Sequence, residues 1–133
     1  MATFIKSVTF DCADALRLAE FWAAALGSSV DEDSTSAKAF VEAAGWGGPT
    51  IWFQAVPEPK TAKNRMHFDL RAPGRIADEV ERLTVLGAST LRDGADLVMM
   101  ADPEDSASIG RGETQQSTLV VMQDPEGNEF CVE

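Results

Sequence analysis

The chain has few histidine and cysteine side chains that could bind a metal or act as nucleophiles, and they lie in short stretches. The 133 residues include one histidine, His67 in "MHFDL", and two cysteines, Cys12 and Cys131. Cys131 stands among glutamates in the terminal "NEFCVE". Imidazole, thiolate and carboxylate groups ligate metals and also act as acids, bases or nucleophiles. No CxxC pair occurs, which argues against a structural zinc site.

The composition excludes several classes of function. The net charge of −11 argues against a nucleic-acid partner, because neutralisation of phosphates dominates that kind of binding. No apolar run approaches the ~20 residues of a membrane span. The start "MATFIKSVTF" is typical of a strand rather than of a signal peptide. We therefore expect a cytoplasmic single domain that binds neither nucleic acid nor membrane.

An internal repeat must position these residues. Residues 7–30 align without a gap on residues 67–90, with Val8 over Phe68 and Gly27 over Gly87. Each copy predicts an alternating strand, then an amphipathic helix ended by glycine, then further strands. The simplest interpretation is two βαβββ units at about 3–56 and 64–133. The irregular stretch at about 93–116 is either a surface insertion or a lid.

Local patterns predict the ends and faces of these elements. Asp14 is a candidate N-cap, and "DPEG" predicts a tight turn with Pro125 at its second position and Gly127 at positive φ. The predicted buried stripes are Leu16, Ala19, Trp22, Ala23 and Leu26 in the first helix, and Ile76, Val80, Leu83 and Leu86 in the second.

The two units resemble the glyoxalase/bleomycin resistance/dioxygenase superfamily, also called vicinal oxygen chelate. The stretches that carry this resemblance are "CADALRLAEFWAAALG", "NRMHFDL", "VLGAS" and "DPEGNEFCV". The glyoxalase-like domain branch is most similar, over most of the chain except 93–116. The resemblance implies an α+β fold in which two βαβββ units form a cupped, barrel-like, eight-stranded mixed sheet. Helices would lie outside the cup and a ligand or metal inside it. It also implies a homodimer.

Strand alternation then assigns side chains to the two faces of the sheet. The cysteines are assigned to opposite faces, which argues against a disulfide. The side chains expected to face the helices are Val8, Phe10, Cys12, Ile51, Phe53, Met66, Phe68, Leu70, Phe130 and Val132. Those expected to face the cup are Ser7, Thr9, Asp11, Thr50, Trp52, Gln54, His67, Asp69, Glu129, Cys131 and Glu133.

The resemblance also allows a test for a metal. Metal-using members of the superfamily place His, Gln or Glu at four positions, which correspond here to Ser7, Trp52, His67 and Cys131. Only His67 is a standard ligand at its place, although a thiolate at Cys131 could bind a soft metal. We therefore predict that the protein uses neither a metal nor another cofactor.

The leading hypothesis is a binding protein that holds a small organic molecule in the cup without a metal. An alternative is a metal-dependent lyase, isomerase or dioxygenase that uses His67. A third is an interaction module whose cup is filled by side chains. His67 could also be a hydrogen-bonded structural residue, Trp52 could fill the core, and Cys131 could be a small buried hydrophobe. The predicted ligand-binding residues are Trp52, Gln54, His67, Asp69, Glu129 and Cys131.

Overall fold

The computed structural model describes residues 1–42, 48–92 and 119–133, so the predicted insertion at 93–116 lies outside the described residues. The elements follow the order strand, helix, two strands, then strand, helix, three strands. They are β1 (Ser7–Cys12), α1 (Ala15–Leu26), β2 (Lys38–Val41), β3 (Thr50–Ala55), β4 (Phe68–Leu70), α2 (Ile76–Leu86), β5 (Ser89–Arg92), β6 (Val120–Gln123) and β7 (Glu129–Val132).

The chain divides into two compact units, and each contains one mixed sheet. The first unit comprises residues 1–63 and 124–127, and the second comprises residues 64–123 and 128–133. The strand orders are β1-β3-β2 and β4-β7-β6-β5. The α+β class is therefore confirmed. The described residues form seven strands in two mixed sheets, where the resemblance implied eight strands in one.

Both sheets have the same topology, as the repeat predicts. In each, the first and last strands of the unit pair in parallel, and the strand before the last pairs antiparallel with it. In the second sheet β5 adds an antiparallel edge, whereas the first sheet has only an isolated bridge between Val30 and Val41 at that place. The first sheet therefore has one strand fewer than the second, because a single bridge stands where the second sheet has β5.

The two helices end at equivalent places in the repeat. Gly27 has φ of 65° and Gly87 has φ of 121°, and each caps its helix through its backbone N–H. Residues with positive φ at this position are usually glycine, because a Cβ is strained there. The offset of 60 between the copies is thereby confirmed.

Helix α1 carries most of the first unit's core. Asp14 caps it by accepting a hydrogen bond from the Arg17 N–H at 3.2 Å. Its buried residues are Ala15, Leu18, Ala19, Phe21, Trp22 and Ala23. The predicted stripe was partly wrong, since Leu16 and Leu26 are only half-buried. The buried face is centred on Trp22, and Leu16 lies about 120° away from it around the helix.

Helix α2 is less well buried than its pattern predicts. Only Leu83 is fully buried, Ile76 and Val80 are half-buried, and Leu86 is 36% exposed.

Met66 was expected to face the helices but is 80% exposed, because it precedes the first residue of β4. Among the described residues, no helix is long and apolar enough to cross a bilayer.

The turn at residues 124–127 belongs to the first unit and binds α1. The Gly127 N–H donates to the Asp124 carbonyl at 2.9 Å and Gly127 has φ of 87°, which confirms the predicted turn. The Trp22 Nε1–H donates to the buried Asp124 carboxylate at 3.0 Å. The Glu126 carboxylate accepts the backbone N–H groups of Ala13 and Asp14 beside the start of α1.

Replacement of Trp22 by Phe tests how much this contact contributes. The substitution leaves a buried carboxylate without its indole donor and opens space in the core, so we expect the free energy of unfolding to fall by about 2–4 kcal/mol. Urea denaturation followed by circular dichroism measures it. Trp52→Phe, the same change on the opposite face of β3's sheet, should cost less than about 1 kcal/mol. Equal losses of stability in the two variants would contradict the placement of Trp22 in the core and of Trp52 on the opposite face.

Candidate functional site

A group of polar and aromatic side chains lies on the face of the first sheet opposite α1. Alternation along β3 buries Ile51 and Phe53 on the helix side and directs their neighbours to the other side. Along β1, Phe10 stacks on Phe53 and on Trp22, which marks the same helix side. We call the opposite side the Trp52 face, defined by Asp11, Lys38, Phe40, Trp52 and Gln54.

Strand register arranges the Trp52 face in two neighbouring rows. The aromatic row places Phe40 directly opposite Trp52, with ring centroids 4.8 Å apart and planes 21° from parallel. In the polar row, Gln54 lies between Asp11 and Lys38, and its Nε2–H donates to the Asp11 carboxylate at 2.7 Å. Lys38 Nζ lies 5.1 Å from the centroid of the Trp52 ring. The result is a half-buried aromatic platform beside an exposed polar strip.

Phe40 and Lys38 were not among the predicted site residues. The signal was present in "AKAFVEAA", where Lys38 and Phe40 alternate with the buried Ala39 and Val41. Their proximity to Trp52 depends on the antiparallel register of β2 with β3, and a single sequence does not specify that register.

The other four predicted residues lie in the second unit. Asp69 of β4 pairs with Cys131 of β7, where Asp69 is exposed and Cys131 is half-buried. Glu129 is buried, and its carboxylate accepts the Asn64 backbone N–H at 3.0 Å. His67 is exposed and lies just before β4. The structure thus brings Trp52 and Gln54 together on one sheet, and Asp69 and Cys131 together on the other.

Asn64 links several polar groups at the start of β4. Its side-chain amide donates to Asn128 Oδ1 at 2.9 Å, and its carbonyl oxygen lies 2.7 Å from His67 Nε2. Since a carbonyl oxygen only accepts, His67 Nε2 carries the proton in this contact. His67 and Glu129 therefore both help to hold the segment before β4.

At the four positions where the resemblance places metal ligands, this chain has one standard ligand, His67. The parallel registers make Trp52 and Cys131 equivalent in the repeat, as Ser7 and His67 are at the offset of 60. An indole is not a metal ligand, and the hydroxyl of Ser7 is a poor one. No group of three or more His, Cys, Asp or Glu side chains in the described ranges is placed to hold a metal. A divalent site usually needs three protein ligands.

Cys12 is a buried thiol on the helix side of the first sheet. It is 6% exposed, and its Sγ–H donates to the Gln54 carbonyl at 3.4 Å. Burial raises the pKa of Cys12 from 9.0 to about 11, and the nearby carboxylates of Glu126, Asp11 and Asp14 add to the effect. Such a thiol remains protonated at neutral pH and is a poor nucleophile.

The comparisons with known proteins identify the family. The model of the glyoxalase-like domain family matches residues 7–109, and this chain belongs to that family. No curated protein matches the chain.

Solved structures with low sequence identity share the fold. A possible glyoxalase from Bacillus cereus has 15% identity and a TM-score of 0.65, with 98% of each chain covered. A mutant of the fosfomycin resistance protein FosX from Listeria monocytogenes, complexed with Mn(II) and 1S,2S-dihydroxypropylphosphonic acid, has 14% identity and a TM-score of 0.65; the match covers 100% of this chain and 90% of that one. A glyoxalase/bleomycin resistance protein/dioxygenase family enzyme from Burkholderia phytofirmans has 16% identity and a TM-score of 0.59, covering 98% and 97%.

The raised pKa of Cys12 predicts a pH-dependent stability. A thiol that ionises less readily in the folded chain contributes stability that is complete below pH 9 and is lost as the pH rises toward 11. In a Cys131→Ser background, the free energy of unfolding should fall over this window by about 2 kcal/mol more than in the Cys12→Ala variant. Urea titrations between pH 8 and 11 measure the difference. A difference that stays constant with pH would show that Cys12 ionises normally.

Proposed function

We propose that this glyoxalase-like protein binds a small, flat organic molecule on the Trp52 face and that binding needs no metal. The observation that carries the proposal is the stacked pair of Phe40 and Trp52 beside the polar groups of Gln54 and Lys38. Ligand sites are commonly apolar surfaces with a few placed polar groups, and stacking favours planar ligands.

The aromatic pair is not required to fill the helix-side core of the first unit. Both rings lie on the side away from α1 and remain half-buried, whereas the fully buried Phe53 and Trp22 supply that core. An exposed aromatic pair stabilises a sheet by only about 0.2–1 kcal/mol. Its more substantial contribution, we infer, is to ligand binding.

Metal-independent binding is proposed because of the residues at the ligand positions. The Listeria FosX mutant was solved with Mn(II), but it shares only 14% of its residues with this chain. A metal-dependent lyase, isomerase or dioxygenase would need a set of oxygen or nitrogen donors. Here two of the four positions hold Ser7 and Trp52, neither of which is a standard metal ligand.

The proposed contributions of the other predicted residues differ. Gln54 is a direct ligand contact in this proposal, because it is exposed beside Trp52 in the neighbouring row. Asp69 and Cys131 lie opposite each other on the second sheet, and their predicted role in ligand binding stays a prediction. His67 and Glu129 hold the backbone at Asn64 through hydrogen bonds, and a direct ligand contact is not proposed for them.

We also propose that the protein forms a homodimer, as its resemblance to the superfamily implies. Unpaired sheet edges favour association with a second copy. Light scattering should then give twice the chain mass of 14.3 kDa at micromolar concentration. A single species at the chain mass would contradict it.

Titration with a neutral flat probe, 2-naphthamide, tests the binding site. We expect binding in the presence of EDTA and a loss of about 1–2 kcal/mol of binding free energy in Trp52→Ala, because the largest apolar contact is removed. His67→Ala should lose less. Saturation-transfer NMR and calorimetry measure the affinities, and circular dichroism verifies the fold of each variant. If binding is abolished by EDTA, or survives Trp52→Ala unchanged, the proposed site is wrong.

A further inference from the structure

Lys38 is a cation on the Trp52 face without an acidic partner in the described part of the chain. Its ammonium lies 5.1 Å from the Trp52 centroid, and no described carboxylate lies within 4.0 Å of it. Acidic residues outnumber basic ones by 22 to 11, so a lysine contacts an aromatic ring here although carboxylates are abundant. Lys38 is exposed, and its charge is accessible to a ligand.

Lys38 is the charged residue whose side chain lies over the aromatic platform. It lies two residues from Phe40 on β2, a separation of about 7 Å, and on the same side of the sheet. Asp11 is two strands away from Phe40, and its carboxylate already accepts a hydrogen bond from Gln54. A substituent that points toward the β2 side of a ring stacked at Trp52 would therefore meet an ammonium.

We propose, as an extension of the proposed function above, that the ligand is a flat aromatic anion whose carboxylate or similar group is bound by Lys38. An exposed cation–π contact is weak, so the lysine ammonium can leave the Trp52 ring when a planar ligand covers it. The ammonium then forms a charge-assisted hydrogen bond to the ligand's anionic group, which is stronger than a neutral one.

The acidic surface of the protein does not outweigh this local charge. The net charge of −11 repels anions at long range, but exposed charges are screened beyond about 8 Å at physiological ionic strength. A cationic ligand would gain from the distant charges and would be repelled by Lys38 at contact. The nearest charge therefore determines which ligand is preferred.

Three compounds with the same ring system test the charge preference. At pH 7, 2-naphthoate is anionic, 2-naphthamide is neutral and 2-naphthylmethylamine is cationic. Their affinities are compared for the native chain, Lys38→Met, Lys38→Arg and the control Lys60→Met. Lys60→Met removes the same charge from an ammonium that donates to the Ala62 carbonyl and lies outside the Trp52 face.

The native chain should bind 2-naphthoate about three- to tenfold more tightly than 2-naphthamide, and the amine most weakly. Lys38→Met should abolish the preference, while Lys38→Arg and Lys60→Met should keep it. The preference should also weaken as salt is added.

Two kinds of negative result can be told apart. If 2-naphthamide binds in a Trp52-dependent manner but 2-naphthoate binds no more tightly, the anionic class is wrong and the site stands. If Lys38→Met keeps the preference for 2-naphthoate, Lys38 does not bind the anionic group, and this inference is wrong while the site stands. If none of the three compounds binds, or if Trp52→Ala changes nothing, the proposed site is wrong and the anionic class with it.

Discussion

The hydrogen bond from the Trp22 indole to the Asp124 carboxylate is the interaction on which the first unit depends. Both side chains are buried, and Trp22 also stacks on Phe10 and packs edge-on against Phe21. A buried carboxylate is costly unless it is hydrogen-bonded, so this turn is stable only while it remains against α1. Glu126 of the same turn receives the N–H groups of Ala13 and Asp14, which fixes the start of the helix. Because α1 covers one face of the first sheet, the side chains of the Trp52 face on the other side are not needed for that core.

The internal repeat preserves a backbone and varies the side chains on it. Ser7 of β1 corresponds to His67, which lies just before β4, and Trp52 of β3 corresponds to Cys131 of β7. The core faces remain apolar in both copies, because any polar group there would have to find a partner. The first sheet has consequently acquired an aromatic platform, and the second retains a thiol opposite a carboxylate.

The acidic residues of the terminal turn and of the strand after it are held by hydrogen bonds. In "DPEGNEF", Asp124 and Glu126 bind α1, while Asn128 and Glu129 bind Asn64. The one histidine likewise donates to the Asn64 carbonyl. The residue types that first suggest catalysis are thus largely engaged with backbone groups, and the accessible chemistry of the first unit lies with Lys38, Trp52 and Gln54.

The sequence alone determined the repeat, the two helix ends at Gly27 and Gly87, the tight turn at 124–127 and the family. These follow from local rules: period-two and helical alternation, and the need for glycine at positive φ. It did not determine the buried face of α1, where Leu18 and Phe21 replace Leu16 and Leu26, because several apolar stripes are compatible with one helix. It also missed Phe40 and Lys38 beside Trp52, the links from Trp22 to Asp124 and from Asn64 to Glu129, and the exposure of Met66. Each of these depends on strand register or on contacts between residues distant in the chain, and only the tertiary structure decides those.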